Sequence, residues 1–209
     1  MPPPRIAVIV LAAGRSTRFA TANGQKLIAD LAGAPVIRWS VASAVEAEVG
    51  EVFVVTGPGS PSLERALDGL AVRTIHAPDA GDGMSASLRR GVQAVQGSVD
   101  ALIVALGDQP TIRPDAYRRV AATWARTGAA IVTPLYPSTT APAHPTLFAA
   151  TVFEELTTLS GDVGARSVIA RSPARVATAS MDWPAPHDID TPDDLHRVAA
   201  ELSRTTNES

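Results

Sequence analysis

The stretch Ile6-Ala-Val-Ile-Val-Leu-Ala-Ala-Gly-Arg-Ser-Thr-Arg-Phe19 changes character halfway along. Its first six residues are apolar with no polar alternation, the pattern of a strand buried on both faces. Small residues follow, Ala12, Ala13 and Gly14, and then two cations, Arg15 and Arg18. A doubly buried strand that runs straight into a glycine-bearing basic loop is the opening of an open α/β sheet, in which ligands bind outside the carboxyl ends of the strands.

Outward from that stretch the same rhythm recurs. Apolar, β-branched runs at 51–56, 72–76, 101–106 and 129–134 read as further buried strands, and 35–47, 60–70, 85–95 and 114–126 read as helices between them. Pro35 and Pro114 suit a first helical turn, which has no use for the missing N–H. The alternation predicts an α/β fold with a mostly parallel central sheet and helices on both faces. After Pro134 the segment 135–148 is rich in Pro, Ser and Thr and reads as a small hairpin lobe beside the main sheet. Helices at 152–158 and 163–171 and a strand at 175–179 follow, and a last helix starts at Pro192 with Thr191 as its N-cap. No repeat or linker divides the chain, so 1–209 is expected to be a single domain with 203–209 as a frayed tail.

Composition narrows the partners. A formal net charge of −3 offers no basic field for a nucleic-acid backbone, and no nucleic-acid partner is expected. The absence of cysteine excludes disulfides, thiolate nucleophiles and cysteine-ligated zinc. The apolar run at 6–11 is too short to cross a bilayer or to serve as a signal-peptide core, so no membrane partner and a soluble, cytoplasmic protein are expected.

Four segments follow strands and carry chemistry. In the first, Leu11, Ala12, Ala13 and Gly14 let backbone N–H groups approach a phosphate, while Arg15, Arg18 and Lys26 bring countercharge. Neither G-x-x-x-x-G-K-[ST] nor G-x-G-x-x-G is present, which argues against a P-loop ATPase and a nicotinamide site. The competing reading is a tight turn with exposed basic residues. In the second, Gly107-Asp-Gln-Pro110, Asp108 ends a central strand and is placed to hold Mg²⁺ against nucleotide phosphates; otherwise it caps a turn. In the third, extended alternation puts Asp188 and Asp190 on one side, where Asp190 would face Asp108, or both cap the last helix. In the fourth, Gly83 and Ser87 open a helix and suit a base or ribose, or simply a loop with a serine cap. His144 and His187 are either acceptor contacts or structural histidines.

Together these segments, with Ser160-Gly-Asp-Val-Gly-Ala-Arg166 and Asp188-Ile-Asp-Thr-Pro-Asp-Asp-Leu195, resemble in their order the MobA-like nucleotidyltransferases, and within them look most like the molybdenum cofactor cytidylyltransferases. The resemblance implies a nucleotide-diphospho-sugar-transferase-like fold and a Mg²⁺-dependent transfer of CMP from CTP to the terminal phosphate of molybdopterin, with pyrophosphate released. It implies Gly14, Arg18 and Lys26 around the phosphates, Asp108 and Asp190 as Mg²⁺ ligands, and Gly83 and Ser87 beside the nucleoside. The acceptor side would hold His144, Asp162 and Asp188 and the 135–148 hairpin, and a molybdenum-enzyme apoprotein or its chaperone would be the partner. Alanine at 13, where the guanylyl branch has glycine, points to CTP. Two departures stand out: Ala141-Pro-Ala-His-Pro145 replaces a Gly-His-Pro context, and the loop from Phe19 to Lys26 is long. Rival readings are a same-fold transferase using GTP or a sugar-phosphate acceptor, an oxidoreductase acting on an aromatic pigment, and a non-catalytic nucleotide-binding chaperone for a molybdenum enzyme.

Overall fold

A computed structural model describes residues 3–14, 26–58, 61–137, 139, 142–161 and 164–207, with side chains to 203. The first strand, β1 (Ile6–Ala12), is the middle of the architecture. Two tiny strands, β2 (Asp30–Leu31) and β3 (Ala34–Pro35), pair antiparallel around Ala32 and Gly33, both at positive φ. Then come α1 (Val36–Glu46), β4 (Glu51–Thr56), α2 (Pro61–Ala66), β5 (Val72–His76), α3 (Met84–Val95), β6 (Ala101–Leu106) and α4 (Pro114–Thr127). The second half adds β7 (Ile131–Leu135), β8 (Thr146–Ala149), α5 (Phe153–Thr157), α6 (Arg166–Arg171), β9 (Val176–Ser180) and α7 (Pro192–Asn207).

Seven strands form one sheet in the order β5-β4-β1-β6-β8-β7-β9. Only β8 runs antiparallel to its neighbours. Alternation along β1 explains the sheet's two covered faces. Val8, Val10 and Ala12 pack with α1, α4 and α7 residues such as Ile37, Val120 and Val198. Ala7 and Ile9 pack on the other face with Leu88 and Val92 of α3 and Val168 of α6. The chain leaves β1 toward β4 and later returns on its other side as β6, so the order of strands reverses between β1 and β6. That switch point opens a crevice at the carboxyl edge.

One expectation needs correction. The 135–148 segment does not stand as a lobe beside the main sheet: Thr146–Ala149 enters the sheet itself, between β6 and β7. Four buried apolar or hydroxyl-bearing residues there complete the ladder, with Thr146, Leu147 and Phe148 all at 1% exposure or less. The last helix, α7, continues through Asn207, and within it Ser203 Oγ donates back to the Ala199 carbonyl 2.9 Å away.

Candidate active site

The crevice begins where Leu11 and Leu106 sit opposite one another at the ends of β1 and β6, and the Gly107 N–H donates to the Leu11 carbonyl. A side chain at 107 would crowd its neighbours. A Cβ there would lie 2.6 Å from Ile37 Cδ1 and 3.2 Å from the Leu11 carbonyl oxygen. Ser40 and Ser43 on α1 reach across to donate to the carbonyls of Gly107 and Ile112, so a helix face pins the loop that carries Asp108. The segment before α7 is tied to the same loop: the Ile189 N–H donates to the Asp108 carbonyl, and Gln109 Nε2 donates to Asp188 Oδ1 at 2.7 Å. Ile189 is fully buried, and Asp188 and Asp190 on either side of it line the crevice.

Asp190 is held from behind by a reciprocal cap on α7. Asp194 Oδ2 accepts from the N–H groups of Asp190 and Thr191, while Thr191 Oγ1 accepts from the Asp194 N–H. The Thr191 hydrogen bond, chiefly, keeps the Asp194 carboxyl below the usual carboxylate range.

At the centre lies Lys26, which begins a single 3₁₀ turn (Lys26–Ile28). Its Nζ is 2.7 Å from Asp108 Oδ2 and 3.0 Å from Asp190 Oδ1. Those two oxygens are therefore less than about 6 Å apart, as any two atoms so close to a third must be. Burial by itself would lower the Lys26 ammonium, but the Asp108 carboxylate, and then Asp190, outweigh it and hold the group above its ordinary value. The other Asp108 oxygen, Oδ1, is buried and has no hydrogen-bond partner among the described residues. An orphaned carboxylate oxygen beside a second carboxylate suits a hard divalent ion. Among the described residues no three His, Asp or Glu side chains converge closely enough to hold a metal ion by themselves, and Mg²⁺ characteristically takes only one or two carboxylates and completes its shell with phosphates and water.

Beside this centre is a cleft of about 380 Å³ over the β6–β8 half of the sheet. Leu11, Met84, Leu88, Phe148 and Ile169 give it apolar walls, and Asp108, Asp188, Asp190, His144 and Arg166 give it polar ones. The Nδ1 of His144 is 3.1 Å from the Val104 carbonyl. A carbonyl only accepts, so Nδ1 carries the proton and Nε2 is an acceptor in the neutral ring. Burial, above all, lowers the His144 pKa, with Arg166 acting in the same direction and the Val104 bond opposing it.

The structure thus brings Lys26, Asp108, Asp190, Asp188, His144 and Leu11 together. Ala12 is buried at the end of β1; Ala13 lies just beyond it, its Cβ 3.7 Å from where a Cβ on Gly57 would stand, and a Cβ built on Gly14 would meet no described residue within 4 Å. Gly83, at φ 112°, and the buried Ser87 are not among the cleft's lining residues; Met84 and Leu88, on the same helix, are. His187 is exposed and also does not line it. Arg15, Arg18 and Asp162 lie outside the described residues. Sequence reasoning left Gln109 and Arg166 without roles. Each stood inside a quoted motif, and proximity to Asp108 was the only signal for Gln109.

A two-carboxylate, one-lysine centre at the switch point of a mostly parallel sheet, with a roomy cleft beside it, defines a domain of the NTP-transferase class. Residues 8–176 match the MobA-like NTP transferase domain, and the chain belongs to that family. A nucleotidyl transferase from Methanothermobacter thermautotroptrophicus shares 26% identity and superposes with a TM-score of 0.82, over 96% of this chain and 99% of that one. Rv0371C from Mycobacterium tuberculosis H37Rv, solved in complex with manganese, shares 25% identity at a TM-score of 0.74, over 94% and 98%. Among curated relatives, the bifunctional protein GlmU of Trichlorobacter lovleyi is 29% identical over 125 residues, 60% of this chain and 27% of its own length. The chain thus spans about a quarter of the length of the curated relatives it matches. Its fold is the nucleotide-diphospho-sugar-transferase-like α/β fold. Among the described residues no helix is long and apolar enough to cross a membrane.

Proposed function

We propose that this protein moves CMP from CTP onto the terminal phosphate of molybdopterin and releases pyrophosphate, and that it works in the cytoplasm as a single domain. The observation that carries the transfer chemistry is the Lys26 ammonium bonded to Asp108 and Asp190 at the β1–β6 switch point. The cytidylyl and molybdopterin assignments are supported by the Leu11-Ala-Ala-Gly14 opening and the ordered motifs.

In this reading an acceptor phosphate oxygen attacks the α-phosphorus of the NTP in line. The bond from that phosphorus to the α–β bridging oxygen breaks, and the electron pair leaves with pyrophosphate. The acceptor phosphate is already ionised at neutral pH, so alignment and charge do the work. Asp108 and Asp190 would hold a divalent ion, Mg²⁺, which when bound supplies Lewis-acid neutralisation of phosphate charge; the manganese complex of the mycobacterial relative supports the choice of a divalent ion. Lys26, Arg18, Arg15 and the amides of 11–14 would neutralise the departing phosphates. Gly83 and Ser87 would lie beside the nucleoside. The cleft over β6 and β8 would take the acceptor, with His144 offering a neutral ring and Asp188, fixed by Gln109, a carboxylate; Asp162 belongs to the same side.

The Ala13 methyl would restrict a purine. A methyl-sized difference is worth about 1–3 kcal/mol, or roughly 10–200-fold, so CTP should be preferred without absolute exclusion of GTP, and Ala13→Gly should relax the preference. Pyrophosphate release measured across the four NTPs, with and without molybdopterin, tests both assignments. CTP with molybdopterin should give the fastest release; equal rates with CTP and GTP would defeat the base assignment, and turnover of a sugar 1-phosphate with none of molybdopterin would defeat the acceptor.

A further inference from the structure

Of the 18 Lys and Arg residues in the chain, 17 are arginine, and the single lysine is Lys26. The two cations differ in shape. Arginine carries a planar fork of weakly hydrated N–H groups, whereas lysine carries a compact point charge at the end of a flexible stem. A point charge can stand between two carboxylates much as a metal ion does, and the Lys26 ammonium stands between Asp108 Oδ2 and Asp190 Oδ1, at 2.7 and 3.0 Å. A divalent ion shared by those two oxygens needs the space the ammonium fills. Lys26 is itself 9% exposed, so water does little to compensate it if it is pushed aside with no new anionic partner. Its 3₁₀ turn follows in sequence the basic segment assigned above to the nucleotide's phosphates, and a flexible four-carbon stem lets its ammonium leave one set of oxygens for another.

Building on the proposed nucleotidyl transfer, we infer that Lys26 is the resting counter-cation of the Asp108–Asp190 pair, displaced by the divalent ion and received by the nucleotide's phosphates, so that metal and nucleotide bind with positive coupling. The ion alone then binds weakly, because it has to evict a buried ammonium. Nucleotide gives the ammonium a new set of oxygens and opens the pair to the ion. Arginine cannot play both parts, which accounts for the one lysine in a chain that otherwise uses arginine throughout.

Mn²⁺ binding without nucleotide, read from the electron paramagnetic resonance of the free ion, tests this directly. Lys26→Met should bind Mn²⁺ at least ~10-fold more tightly than the unaltered protein, within the usual range for coupled sites, and Lys26→Arg should show no gain of that size. The unaltered protein offers a second readout, since ¹³C-lysine labelling yields one side-chain ε signal. CTP added in the presence of chelator should move that signal. A folded Lys26→Met protein that binds Mn²⁺ no more tightly, or a lysine signal that CTP leaves in place, overturns the inference; if Lys26→Met fails to fold, the lysine signal decides. Adding Asp108→Asn to Lys26→Met separates the two levels: undiminished Mn²⁺ affinity in the double variant would overturn the metal assignment itself rather than the role of Lys26.

Discussion

Asp108 and Asp190 face the same ammonium from two loops far apart in sequence, and each has a neighbour that fixes it: the Asp108 carbonyl receives the Ile189 N–H, and Asp190 is backed by Asp194. Asparagine at either position keeps the shape and removes the charge. Asp108→Asn and Asp190→Asn should each lower the transfer rate by at least ~100-fold, the scale of losing one preorganised electrostatic group, while circular dichroism stays unchanged. Steady-state kinetics on the purified variants check this. His144 gives a pH prediction of definite sign. Its folded pKa lies below the ordinary 6.5, so on going down in pH the unfolded chain takes up the proton first. Stability is full above about pH 6.5 and falls as the pH drops from there through the folded pKa. Urea midpoints at pH 7.5 and pH 5 should differ less in His144→Gln than in the unaltered protein.

Among the elements, those bounded by hard chemical signals were legible in the sequence. The strands at 51–56, 72–76 and 101–106 and the start of α4 at Pro114 stand where the apolar runs and the proline placed them. The helix expected over 60–70 is shorter, Pro61–Ala66, because Gly69 at φ 79° turns the chain before β5. β8 was missed because four residues inside a Pro- and Thr-rich stretch carry too little pattern, and their strand state comes from pairing with Leu102 and Ile103 on one side and Ile131 and Val132 on the other. The carboxylates could be named from the strand ends, but that Lys26 bonds both could not: separations of 82 and 164 residues are closed only by the sheet. Gly107→Ala tests how tightly the elements fix the loop. Its Cβ would press on Ile37 and the Leu11 carbonyl, and the variant should lose about 1–3 kcal/mol of stability, measurable by urea unfolding, because overpacking forces neighbours to shift. At the start of α7, Thr191→Ala should cost about 1 kcal/mol by the same measurement through loss of the reciprocal cap.

At the scale of the whole molecule, the sheet divides the work. Ala13 lies beside Gly57 at the end of β4, the cleft lies over β6 and β8 with Leu11 of β1 in its wall, and Lys26, Asp108 and Asp190 stand at the boundary. Under the proposed transfer, donor and acceptor would meet at the charged centre between them. The most direct measurement follows both ends of the donor: parallel reactions with CTP labelled at the α- or the γ-phosphorus, Mg²⁺ and molybdopterin. The account predicts that α-label appears in a cytidylylated acceptor and γ-label in pyrophosphate, in equal amounts. Release of γ-label as orthophosphate, or CTP consumption with no α-label in the acceptor, would contradict it.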